Sequence, residues 1–311
     1  MKSKSFQFFY FNLVLLAVAL FMMPACQSGE SEKNKAEEPE LVLDMSELDK
    51  ELFKDIGEVK KIFYSMPSPL ETAMMIRSTG AEYNEELLNP VENASNYANN
   101  KSMALNLGIY TCDLSFVSLY DQTEASINYM NASKKMADGL GILDAINDET
   151  IERLEENINN RDVIMEIISD TFMNSSSFLH ENDRSPVAAI VLVGGWVEGL
   201  YISTQMVEPG SIKDNELVTK IVDQKLSLDI VMRLLDESKE NEDVQDVLVE
   251  MEDLKATFDK IKLTTTSPVK TEVDEENNVT TLKSKTQSNI TPELFSELQE
   301  KVLKLRSKYI S

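Results

Sequence analysis

Two carboxylates lie inside the most apolar stretches of this sequence. Asp113 falls within residues 99–120, among Leu105, Leu107, Ile109, Leu114, Phe116 and Val117. Glu198 falls within residues 187–207, an equally apolar run. A carboxylate taken out of water must be paired, hydrogen-bonded or protonated. Helical spacing sets Asn106, Tyr110, Val117 and Tyr120 around Asp113, and Gly194, Gly195, Tyr201, Ile202 and Gln205 around Glu198. Two readings follow. In one, each carboxylate is a structural group satisfied by a helix terminus, a tyrosine hydroxyl or a Lys/Arg. In the other, the two helices enclose a ligand pocket. Tyr110, Trp196 and Tyr201 would then supply contact area, and Asp113 and Glu198 would orient the ligand. Carboxylate pairs also hydrolyse glycosides when correctly separated. A carboxylate-dependent hydrolase is therefore the alternative to a non-enzymatic binding protein.

Other reactive groups are few. The chain has two cysteines and one histidine. Cys112 stands in an apolar helical stretch and reads as a buried, inert thiol. The sequence around His180 gives no evidence of a pairing that would make it a base. A zinc site needs several Cys and His ligands, so no catalytic residue, metal or cofactor is assigned. No G-x-S-x-G elbow, phosphate-binding glycine loop or calcium-loop motif is present. The acidic clusters at Asp236–Asp243 and Asp274–Glu276 read as solvated turns.

Cys26 carries a different chemistry. Lys2 and Lys4 precede an apolar run from Phe6 to Met23, which closes on Met23-Pro24-Ala25-Cys26. A basic start, an apolar middle and a small residue before cysteine form a lipoprotein signal, which is removed before folding. The expected organisation is a signal peptide at 1–25, a flexible acidic tether at 26–41 and a helical domain at 42–311. Lipidation of Cys26, with palmitate-type chains, would place the protein at a membrane surface. Gln27 stands where inner-membrane retention typically uses Asp, which favours the outer membrane.

The full chain carries 30 basic and 54 acidic residues, a formal net charge of −24. Without Lys2 and Lys4 the balance is 28 against 54, or −26. Such a chain repels phosphate backbones, so nucleic acid is excluded as a partner. The expected partners are the membrane, through the N-terminal lipid, and an envelope protein or small ligand. With Cys26 lipidated, Cys112 has no disulfide partner, and packing alone must stabilise the domain.

The elements that position these groups are helical. Only 10 glycines and 9 prolines interrupt the chain. Apolar residues recur at helical spacing in 48–64, with Ser46 as its cap, and then in 70–79. Further helices are expected at 99–120, 124–138, from 149, at 163–180, 187–207, 214–235 and 244–263, and from Thr291 onward. Ser185 is read as the cap and Pro186 as the first residue of the second central helix. Residues 264–288 alternate on either side of a polar turn, which predicts a β-hairpin. The fold class is all-α: a multi-helix bundle or solenoid-like array with one hairpin before the last helix.

The two central helices share a pattern. Gly108, Tyr110 and Leu114 match Gly194, Trp196 and Leu200 at one offset. A helix-interior glycine costs roughly 1 kcal/mol against alanine. Gly194, Gly195 and Gly199 together therefore imply a close helix–helix approach or room for a ligand. Asn106-Leu107-Gly108-Ile109-Tyr110, Asp113-Leu114-Ser115 and Gly194-Gly195-Trp196-Val197-Glu198-Gly199-Leu200-Tyr201 resemble segments of a group of uncharacterised Bacteroidota lipoproteins. The resemblance implies fold and location and brings no activity with it.

Overall fold

The computed structural model describes residues 68–143, 148–157, 160–208, 210–265, 270–274, 279–283 and 286–311. The signal segment, Cys26, the tether and the helix expected at 48–64 lie outside the described residues.

The first described helix, α1 (Pro69–Ser78), starts from a capping box. Ser68 accepts from the Glu71 amide, and Glu71 returns a bond to Ser68. Gly80, at φ +79°, turns the chain after the helix and donates to the Arg77 carbonyl. Two 3-10 turns, Glu85–Leu87 and Val91–Ser95, lead to α2 (Asn100–Leu119). There Asn99 and Ser102 form a second capping box. The chain continues through α3 (Thr123–Gly139), α4 (Asp148–Glu156), α5 (Arg161–Glu181) and α6 (Ser185–Gln205). Next come α7 (Glu216–Glu237) and α8 (Glu242–Asp259), and the last helix is α9 (Pro292–Tyr309). The protein is all-α, with the hairpin placed before that last helix.

Local chemistry moves three boundaries from their expected positions. Ser185 is not the cap of α6. Arg184 takes that place without a side-chain bond, and the Ser185 hydroxyl instead meets His180 Nδ1 at 2.7 Å. Helix α7 begins after Asp214 because Asp214 is left-handed, at φ +56°, and Asn215 caps the Val218 amide. Helix α8 ends at Asp259, since Leu263 has already joined a strand.

The hairpin is nested. Its outer arms β1 (Leu263–Thr265) and β4 (Thr286–Ser288) pair antiparallel, and β2 (Lys270–Asp274) pairs with β3 (Val279–Lys283). Asn289 ties its base to the body, accepting from the Lys262 amide at 2.6 Å and donating to the Lys260 carbonyl at 3.2 Å.

Helices α2 and α6 form the centre and pack along one another. Around them α3, α1 and α5 lie against α2, while α9 and α7 lie against α6. Helix α6 is long and apolar enough to cross a membrane, yet 94% of its most apolar window is buried inside the protein. A helix apolar all round and wrapped by others is a core helix. Glycine sets the central contact. A Cβ on Gly108 would stand 2.0 Å from the Val191 carbonyl oxygen and 2.6 Å from the Gly195 nitrogen. One on Gly194 would stand 2.0 Å from the Leu105 carbonyl oxygen. The two backbones touch where only glycine fits.

Candidate functional site

Asp113 and Glu198 meet at the centre of the molecule, and both are fully buried. Asp113 comes from α2 and Glu198 from α6, so the glycine contact also brings their side chains together. A third charge enters from α9. Arg306 Nε donates to Glu198 Oε2 at 3.0 Å, and its Nη2 donates to Glu198 Oε1 at 2.9 Å. This is a two-pronged fork, the geometry in which a guanidinium binds a carboxylate most tightly. Nη2 also reaches the Leu87 carbonyl at 3.1 Å. The guanidinium carbon lies 4.5 Å from the centre of the Tyr201 ring, which covers the pair as a cation–π partner.

Asp113 completes the group. Its Oδ2 accepts from the Asn89 amide at 3.1 Å, while Oδ1 faces no donor. The two carboxyl groups stand close enough to act on one another. Two carboxylates cannot share a buried site with both ionised. Burial pushes Asp113 well above the usual carboxylate range, and the Glu198 charge adds to the shift. Burial raises Glu198 too, but the charge and hydrogen bonds of Arg306 pull against that rise. The proton therefore resides on Asp113, and Glu198 stays ionised against Arg306. A neutral acid, a carboxylate and a guanidinium carry no net charge between them.

The surroundings close the network. Asn89 Nδ2 donates to Tyr97 Oη and to Asn106 Oδ1, both at 3.1 Å. Asn106 donates to the Tyr309 carbonyl at 2.9 Å, and Tyr97 to the Ile310 carbonyl at 3.2 Å. These carbonyls belong to the end of α9, where a helix leaves acceptors unsatisfied. Tyr110, one turn before Asp113, donates to the Pro90 carbonyl at 3.0 Å, and its ring packs 6.3 Å from that of Tyr97.

Of the five residues singled out as lining a pocket, four gather here: Tyr110, Asp113, Glu198 and Tyr201. Trp196 does not. It lies two residues from Glu198 on the helix and so points elsewhere. Its Nε1 donates to Gln224 at 3.2 Å, and its ring lies 6.4 Å from Phe258. Arg306, Asn89 and Tyr97 join the network from outside the expected set, and Asn106 stands where helical spacing sets it near Asp113. Arg306 had a signal, since it follows Val302 by four on the apolar face of α9. Asn89 had only its place before a proline.

Cys112 is buried as expected, and burial pushes its thiol up, away from the reactive thiolate. Among the described residues no group of three His, Cys, Asp or Glu is arranged to hold a metal ion. A separate apolar cavity of about 80 Å³ runs between α2, α3, α5 and α6, and none of the five predicted residues lines it. No protein-family model, curated protein or solved structure matches the chain.

Proposed function

We propose that the protein is a lipid-anchored protein of the cell envelope, held in the outer membrane through Cys26, that works by binding a partner or ligand and not by catalysis. The observation that carries this reading is the Glu198–Arg306 fork. The carboxylate with the best claim to reactivity is held twice by a buried guanidinium. A general acid or nucleophile must reach a substrate, and these groups face one another. Hydrolysis by the pair draws no support from this arrangement. The signal pattern ending at Cys26, the acidic tether and the resemblance to Bacteroidota lipoproteins support the location.

Fractionation of cells carrying Cys26→Ser tests the anchor. The variant is expected to leave the membrane for the soluble periplasm with its helical circular dichroism intact. Retention in the membrane would contradict the anchor. For the mode of action, the purified protein is incubated with envelope glycans and the products are followed by mass spectrometry. Turnover that Asp113→Asn abolishes without loss of fold would overturn the binding reading.

A further inference from the structure

We draw no further inference here: the strongest candidate, the groove between the first turns of α7 and the base of the hairpin, sets Lys213 beside Asp214 and Asp223 among apolar side chains, so its charges favour no one class of occupant and nothing in the structure shows what covers it.

Discussion

Asp113 holds its proton because it is buried away from water, and because ionisation would put a second negative charge beside Glu198. This fixes the sign of a pH effect. In the unfolded chain Asp113 titrates near its ordinary 3.8, and in the folded protein far higher. Below 3.8 both states are protonated, and the stabilising contribution is fully present. Above it, only the unfolded chain ionises, so stability falls as pH rises toward the folded value, by about 1.4 kcal/mol per pH unit. Asp113→Asn keeps the neutral shape and removes the titration. Urea unfolding across pH is expected to show the Asn variant gaining on the natural protein as pH rises above about 4. Curves that stay parallel would place the proton elsewhere. Cys112 gives a second check at this scale. In the Cys26→Ser protein, a thiol reagent is expected to find no reactive sulfur until denaturant is added, because a buried thiol is not thiolate. The sequence made the need for a partner legible, since two acids inside apolar helices demand one. It did not show which partner, because Arg306 lies 108 residues from Glu198 and only tertiary packing joins them.

At the scale of elements, periodicity and breakers carried most of the information. Helix α2 at Asn100–Leu119 and helix α6 at Ser185–Gln205 fall close to the stretches read from apolar spacing. The residues that shifted boundaries, Ser185 and Asp214, have side chains or backbone angles that depend on neighbours. The three-glycine surface was legible as a close contact or a ligand space, and the structure places Gly194 and Gly195 against the α2 backbone and Gly199 against the Thr72 side chain. This predicts unequal alanine costs. Gly108→Ala drives a Cβ into the Val191 carbonyl, a backbone atom that cannot rotate away. It is expected to lose about 3 kcal/mol or more in urea unfolding. Gly199→Ala meets the Thr72 methyl at 2.4 Å. That half-buried side chain can turn, and alanine recovers roughly 1 kcal/mol of helix propensity, so the net change is expected to stay within about 1 kcal/mol. Equal losses at both sites would mean that α2 and α6 do not meet as described.

At the scale of the whole molecule, the polar centre acts as a clamp. Arg306 reaches from the last helix to Glu198 on α6 and to Leu87 before α2, while Asn106 and Tyr97 donate to the carbonyls at the end of α9. The C-terminal helix is thereby fixed to the two central helices without a disulfide. Composition and helical periodicity read the fold class, but a clamp built from the ends and middle of a chain leaves no local motif. Its role as a fixing, not a reactive site, is the central claim, and a buried pair has a known signature. Removing one partner strands a charge, at a cost of about 3–5 kcal/mol, whereas replacing both with packed apolar groups is often neutral. The direct measurement is urea unfolding of Glu198→Met, Arg306→Met and the double variant at neutral pH. The account predicts that each single variant loses about 3–5 kcal/mol and that the double variant recovers most of it. Single losses that simply add in the double variant, or singles that unfold like the natural protein, would contradict it.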